Sequence, residues 1–456
     1  MAKIVIIGAG SGFGGRLSVD IMSRPALAGS TLCLCDIHPG RLKNVTAYVQ
    51  RIIDKHNLPT KLESTVNRAE VFPGADFVVT SISQGGGAYY GEPYNSEILI
   101  PRKYGLDQSV ADTTSVGAVF RFLRTGPVQQ QILRDVERLA PDAIVLNHTN
   151  PMPMLMSLHS HLSLRSVGLC HGVQHTAGIL AKFLGIPEEE LRYKCVGVNH
   201  LAWFLEFKHG DADIYPMLDK KLSQTGGGPA VQRFLSREAV RIEIYRQFGA
   251  FPTESSKHDS EYLPYFRRTP ELMEHYGLEA RELFQELEEG KKRRREWEND
   301  GIEKGEGTDK GGELQISKEF TTGIMEAVLT DVPFRFNGNI MNTGLITNLP
   351  GDCCVEVPCY ADSQGINPAY SGALPTQLAA LNRSNISVHQ LAVEAVLRRD
   401  KDAAYHACLV DPNAAALVSI PKIREMFEEL WQANKEHLKW FDKSHTGPLP
   451  ETCAQN

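Results

Sequence analysis

The tightest constraint on this chain lies at its start, where Ile4-Val5-Ile6-Ile7 runs straight into Gly8-Ala9-Gly10-Ser11-Gly12-Phe13-Gly14. A short apolar run ahead of a glycine turn reads as a buried strand, and Arg16–Ser23 after it reads as a helix. A strand, a glycine turn and a helix allow a backbone to close on a pyrophosphate. The glycines remove obstructing side chains, and the helix N-terminus offers free N–H groups and the positive end of its dipole. The match to G-x-G-x-x-G is imperfect, because Phe13 fills the third glycine position between Gly12 and Gly14. Taken alone, such a turn can be merely structural.

The residues that follow strengthen the dinucleotide reading. Thr31–Cys35 is a second apolar run and ends in Asp36, where an acid would bind the ribose hydroxyls of NAD. An acid there repels a 2′-phosphate, so NAD is favoured over NADP, although Arg41 lies close enough to soften the preference. The expected cofactor contacts are Gly8, Gly10, Ser11, Gly12, Phe13, Asp36 and Arg41. A helix from about Gly40 to His56 and strands at Phe77–Ile82 and Ala143–Leu146 continue the alternation. Residues 1–150 are therefore expected to form an α/β domain with a Rossmann-like, doubly wound parallel sheet.

Beyond Pro151 the pattern mixes. Val196–Phe207 and Cys354–Tyr360 look like strands, while Val388–Arg399 and Ile423–His437 look like amphipathic helices. This predicts a C-terminal α+β substrate domain over 151–456, as in lactate and malate dehydrogenases. Two stretches are expected to be mobile, the glycine-rich Gln224–Pro229 and the charged segment at about 286–313. The latter holds Lys291-Lys292-Arg293-Arg294-Arg295, balanced by Glu286, Glu288, Glu289, Glu296 and Glu298, and reads as a solvated flank.

Charge and length set outer limits. With 48 Lys and Arg against 55 Asp and Glu, the chain carries −7, which argues against a nucleic-acid partner. No run approaches the roughly 18 apolar residues of a membrane span. No signal-peptide pattern precedes the first strand, so a cytoplasmic protein is expected. The 9 cysteines follow no framework and read as reduced thiols.

Cys170 and His200 are the metal candidates. A thiolate and an imidazole can share a divalent ion with water or substrate oxygens. Two ligands on separate segments make a weak signal, and a buried cysteine with a satisfied core histidine is the safer reading by spacing alone. Asn147-His148-Thr149-Asn150-Pro151 follows the last strand of the nucleotide half, so it points at the same cleft. Asx-turn chemistry before a proline explains it equally well.

In combination the segments are more telling. Ile7-Gly8-Ala9-Gly10-Ser11, Asp112-Thr113-Thr114, Arg121-x-x-Arg124-Thr125-x-Pro127, Thr149-Asn150-Pro151, Cys170-His171-Gly172, Gly197-x-Asn199-His200-Leu201 and Val355-Glu356-Val357-Pro358 occur in that order. Together they resemble glycoside hydrolase family 4, the NAD- and metal-dependent glycosidases. The likeness runs from about residue 3 to about 440.

The resemblance implies a redox-assisted elimination. NAD⁺ oxidises the sugar at carbon 3, the carbon 2 proton becomes acidic, and a metal stabilises the resulting enolate. The glycosidic bond then breaks by elimination, water adds, and the retained NADH restores the alcohol, so NAD is not consumed. The implied metal is Mn2+, held by Cys170 and His200, with other divalent cations possible. His171 is the implied acid, with Asp112 its rival. Tyr262 is the implied base and Asp259 its alternative, since a tyrosine needs help to ionise near neutrality. Asn95, Asn150 and His171 are expected to touch the sugar. Members are commonly homodimers or homotetramers, so a homo-oligomer is expected.

The Cys170-His171-Gly172 tripeptide resembles the α-uronidases, which favours an α-galacturonide over an α-glucuronide. A sugar carboxylate wants a cation, and Arg267, Arg268, Arg102 and Lys103 are the candidates. A neutral α-galactoside or α-glucoside is the alternative within the family. Outside it, a lactate- or malate-type dehydrogenase would use the nucleotide half without the Cys170/His200 pair, and a non-catalytic NAD-binding regulator would show no metal dependence.

Overall fold

The computed structural model describes residues 1–85, 92–223, 228–278, 292 and 313–444. The two stretches expected to be mobile fall almost entirely outside these residues. Ile4–Ile7 does form a buried strand, within β1 (Lys3–Ile7), and the glycine turn leads into helix α1 (Gly12–Met22). The second apolar run is β2 (Thr31–Cys35), followed by a helix over Pro39–His56. The parallel set is completed by β3 (Lys61–Thr65), β4 (Phe77–Thr80), β5 (Ile144–Asn147) and β6 (Arg165–Gly168). Their spatial order is β3-β2-β1-β4-β5-β6, with each neighbouring pair parallel. This is the dinucleotide-fold order, whose direction reverses between β1 and β4. β1, β4 and β5 are nearly all apolar because helices cover both faces of a parallel sheet.

The sheet does not stop at the nucleotide half. β11 (Phe334–Met341) joins β6 in antiparallel fashion, and β12 (Cys354–Asp362), β7 (Leu191–Val198), β8 (Leu201–His209) and β10 (Phe251–Pro252) extend it. Two short strands, β9 (Ala212–Asp213) and β13 (Gly365–Pro368), pair β8 and β12. A division at residue 150 thus falls inside the parallel set, between β5 and β6. One core cluster runs from Ile4 in β1 to Val357 in β12, so the two halves share their interior.

One expected element is corrected. Val196–Phe207 is two strands, because the chain reverses at Asn199-His200 and pairs Val198 with Leu201. The reversal is marked only by the two buried polar residues Asn199 and His200, set between apolar runs of the same sheet.

A 25-residue helix, Ser115–Leu139, runs beneath the sheet beside the helix Thr376–Arg398, which is longer than its expected C-terminal half. No helix among the described residues is long and apolar enough to cross a membrane. The eight cysteines among them are all free.

Candidate active site

The turn after β1 is as tight as its glycines suggest. Gly8 has φ +82°, and a Cβ there would lie 2.0 Å from the Ser81 carbonyl oxygen. Gly10 donates its N–H to Asp36 Oδ2 at 2.8 Å, and a Cβ on it would meet that oxygen and Arg41 Cβ. Asp36 Oδ1 takes the His38 N–H at 2.8 Å, so the carboxylate is aimed before any ribose arrives. The close packing expected of a third glycine falls to Gly14, whose added Cβ would lie 2.2 Å from the Ala9 carbonyl oxygen. Phe13 can therefore stand in the motif: its ring packs 4.4 Å from that of His148 in the loop after β5. Gly12 faces open space, and the Ser11 hydroxyl is buried with no partner among the described residues. Arg41 lies in the first turn of the next helix and donates its N–H to His38 Nδ1.

Cys170 follows β6 and His200 sits in the turn between β7 and β8. Although thirty positions apart, their Sγ and Nε2 atoms lie 3.2 Å from one another. His200 holds φ +63°, an uncommon left-handed backbone for a non-glycine residue. Glu254, also left-handed at φ +72°, brings Oε1 to 3.4 Å from His200 Nε2 and 3.6 Å from Cys170 Sγ. On the other side of the imidazole, Asp112 Oδ1 lies 3.7 Å from His200 Nδ1 and 3.7 Å from His258 Nε2. Asn150, past the end of β5, donates to Asp112 Oδ2 at 3.2 Å. The loop after β5 thus touches both regions, through His148 on Phe13 of the glycine turn and through Asn150 on Asp112 beside His200.

These charges tune each other. Burial alone would push Asp112 up, but His200 and His258 outweigh it and hold the carboxyl well below its usual range. Burial works against protonation of His200, yet Glu254, Cys170 and Asp112 raise it well above an ordinary histidine. The Cys170 thiol is pushed up by burial to about 11, with His200 pulling the other way. Glu356, buried on β12, is raised by burial to about 8.

The expected acids and bases divide by exposure. His171 opens the helix Gly172–Leu184 with its side chain 66% exposed and Nδ1 3.7 Å from Glu319. Asp259 and Tyr262 lie on the helix Ser256–Tyr262, and both are buried. Burial raises both well above their normal values; Glu254 and Glu238 add to it at Asp259, and Asp112 and Glu254 at Tyr262. The Tyr262 hydroxyl and both Asp259 oxygens have no hydrogen-bond partner among the described residues. Asn95 lies on the helix Tyr94–Lys103, with its Oδ1 buried and likewise unpartnered among them. The structure gives no contact from Asn95 to the Cys170–His200 cluster.

Glu254 and His258 were missed in the sequence. Neither has a spacing to Cys170 or His200 that a pattern could detect, because Glu254 reaches the cluster from the turn after edge strand β10 and His258 from the helix Ser256–Tyr262. The motif arginines serve elsewhere: Arg124 pairs with buried Glu97 and donates Nε to the Gln84 carbonyl at 2.6 Å.

The comparisons with known proteins agree with this architecture. Residues 3–186 match the model of the family 4 glycosyl hydrolases, and residues 195–414 match that of their C-terminal domain. An alpha-galactosidase of Bacillus subtilis is 36% identical over 96% of this chain and 99% of its own length. An alpha-galactosidase of Rhizobium meliloti is 33% identical, covering 96% and 89%. An alpha-galacturonidase of Thermoanaerobacter italicus is 27% identical, covering 96% and 97%. Among solved structures, a 6-phospho-alpha-glucosidase from gut microorganisms with NAD and glucose-6-phosphate superposes with a TM-score of 0.78 at 20% identity, covering 96% and 99%. Another, with NAD and Mn2+, gives 0.75 at 18%, covering 95% and 98%. Malate dehydrogenase from Plasmodium falciparum shares the fold more distantly, at 0.52 and 14%, covering 90% and 100%. Family models spanning most of the sequence, together with a 36% identical relative matched along almost its whole length, carry the conclusion that this chain belongs to family 4 of the glycosyl hydrolases.

Proposed function

We propose that this enzyme hydrolyses α-galactosides, using NAD held at the turn after β1 and a divalent cation, Mn2+ first, held by Cys170 and His200. The observation that carries the reading is that one loop, His148–Asn150, meets both regions: His148 packs on Phe13 of the glycine turn, and Asn150 bonds Asp112, which lies beside His200 and its neighbour Cys170. The residues fit both groups. The turn is open at Gly12, and Asp36 is aimed by two backbone N–H groups. The thiol and imidazole are a donor pair suited to a borderline divalent ion.

When bound, the two groups supply a hydride acceptor for sugar carbon 3 and a Lewis acid for charge developing on neighbouring oxygens. The chain does the rest. Asn150 and Asp112, joined at 3.2 Å, present an amide and a carboxylate to sugar hydroxyls, with Asn95 a further contact. Tyr262 accepts the carbon 2 proton; its neighbours Asp112 and Glu254 oppose ionisation, so it needs a nearby positive charge. Asp259 is the alternative base. His171, exposed beside Cys170, protonates the leaving oxygen and exchanges with solvent, with Asp112 its alternative.

A neutral galactoside is favoured over a uronide on two grounds. The 36% and 33% identical relatives are alpha-galactosidases, whereas the alpha-galacturonidase is 27% identical. The cations expected to meet a sugar carboxylate are engaged or point elsewhere. Arg267 donates Nε to Ser260 at 2.8 Å, Arg102 lies 3.8 Å from Asp107, Lys103 pairs with Glu429, and Arg268 is exposed. The Cys170-His171-Gly172 tripeptide keeps an α-galacturonide as the second reading.

The test is a panel of aryl α-galactoside, α-glucoside, α-galacturonide and α-glucuronide, each with NAD, Mn2+ and thiol. Cleavage of the galactoside is expected, with loss of a carbon 2 deuterium label to solvent and no net absorbance change at the NADH band. Full retention of the label would rule out the elimination, and a faster uronide would reverse the sugar assignment.

A further inference from the structure

The Cys170-His171-Gly172 tripeptide leaves a hole that another residue fills. A Cβ at Gly172 would lie 2.2 Å from Glu254 Oε1, 3.1 Å from its Cδ and 3.6 Å from Cys170 Sγ. The Glu254 carboxylate thus occupies the volume a side chain at position 172 would need. It is the same oxygen, Oε1, that faces both Cys170 Sγ and His200 Nε2.

Three donor atoms of three kinds therefore form a triangle with edges of 3.2, 3.4 and 3.6 Å. Metal bonds of roughly 2.0–2.3 Å to nitrogen, oxygen and sulfur place neighbouring donors about 3.0–3.6 Å apart, between octahedral and tetrahedral angles. The triangle already has the dimensions of one face of a coordination shell. Each donor is held there by a device of its own. Cys170 Sγ accepts the Gly172 N–H at 3.4 Å, while His200 and Glu254 adopt left-handed backbone that a non-glycine residue rarely takes. The Glu254 side chain is 11% exposed, and its other oxygen lies 3.9 Å from His258 Nδ1.

We propose that Glu254 is a third protein ligand of the divalent cation, so that the Cys170–His200–Glu254 set binds it before any sugar arrives, and that Gly172 is glycine to admit this carboxylate. The inference rests on the reading of Cys170 and His200 as metal ligands. It adds that the site is a preassembled three-donor set rather than two ligands waiting for sugar hydroxyls. A thiolate and a carboxylate also neutralise the double charge of the ion, which keeps a buried cation stable in an otherwise empty cleft. Three positions of an octahedral ion stay open, enough for two sugar oxygens and a water.

The experiment measures Mn2+ binding to the full chain by electron paramagnetic resonance, without NAD or sugar. Wild type is expected to bind one ion. Glu254→Gln, which keeps the shape and removes the charge, should weaken binding at least tenfold. Gly172→Ala, which pushes the carboxylate away, should weaken it comparably, and the two changes together should cost little more than either alone. Circular dichroism and melting temperature report whether each variant folds. With Co2+ in place of Mn2+, Glu254→Gln should keep the thiolate-to-metal absorption band while the d–d bands shift with the lost oxygen donor. Glu254→Gln binding Mn2+ within twofold of wild type would overturn the proposal. A Cys170→Ser variant that binds Mn2+ as wild type does would instead overturn the underlying assignment of the metal site.

Discussion

Glu261 grips the backbone at Ala111: one carboxylate oxygen accepts the Ala111 N–H at 3.1 Å while the other accepts that of Val110 at 2.9 Å and that of Ser109. Ala111 is left-handed, with φ +47°, and Asp112 follows it directly. Three N–H groups on one buried carboxylate fix the loop that carries Asp112 to the helix that carries Asp259 and Tyr262. Glu261→Gln leaves a single acceptor oxygen and turns an amide N–H group toward backbone donors. We expect a loss of about 1.5–3 kcal/mol in stability, read by thermal or urea unfolding. At temperatures where the variant is folded, kcat should fall about tenfold, while Mn2+ affinity should stay within twofold. An unchanged kcat would show that this grip has no bearing on Asp112.

Asp36 offers a cleaner separation of cofactor from metal. Its Oδ2 holds the Gly10 N–H, and its position at the end of β2 suits the ribose hydroxyls. Asp36→Ala should weaken NAD binding about 10- to 100-fold by calorimetry, at roughly 1.4 kcal/mol per tenfold, and leave Mn2+ affinity unchanged. Equal loss of both would contradict two separate pockets.

Metal binding should expel protons. Burial raises the Cys170 thiol to about 11, and against the opposing effect of burial the carboxylates of Glu254 and Asp112 help lift His200 well above an ordinary histidine. A cation needs the thiolate and the neutral imidazole, so it competes with protons and its affinity should rise with pH through the neutral range. Calorimetry in buffers of different ionisation enthalpy should report release of between one and two protons. Cys170→Ser should release fewer, and a pH-independent affinity would exclude both residues as ligands.

Stability should weaken in mild acid for a reason unconnected with the site. His159 and His389 are buried and neutral, lowered by burial to about 3 and about 4. His159 Nε2 lies 3.0 Å from Gln129 Nε2, whose N–H it accepts only when unprotonated. Their folded values lie below the unfolded value of about 6.5, so the stability they contribute is complete above that pH. Between pH 6.5 and about 4 the unfolded state takes up the protons, and each histidine lowers stability by about 1.4 kcal/mol per pH unit. The urea midpoint should fall steeply over that window. His389→Gln should flatten the slope; an unaltered slope would show that His389 is not the group responsible.

Much of the nucleotide half was legible in the chain because its signals are local. The apolar run Ile4–Ile7, the glycines at 8, 10 and 14 and the acid at Asp36 lie within one strand–turn–helix–strand unit, inside which Gly14 closes on Ala9 and Gly10 bonds Asp36. Cys170 and His200 were legible only through the family resemblance, since nothing in their spacing declares a 3.2 Å contact. The hairpin at Asn199-His200 was read as continuous strand because its only polar break, these two residues, is short and buried between apolar runs.

Sequence alone determined the strand–glycine–helix opening, the acid that ends β2 and the residue types available for metal chemistry, because these depend on side-chain size, charge and short-range backbone geometry. Tertiary structure decided that Glu254 fills the space at Gly172, that His258 shares Asp112 with His200, and that Glu261 steadies the Asp112 loop. Those pairings join residues 82 to 150 positions apart, brought together by the packing of the C-terminal half on the nucleotide half. Contacts of that kind follow from how strands stack in space, and no local pattern in the chain records them.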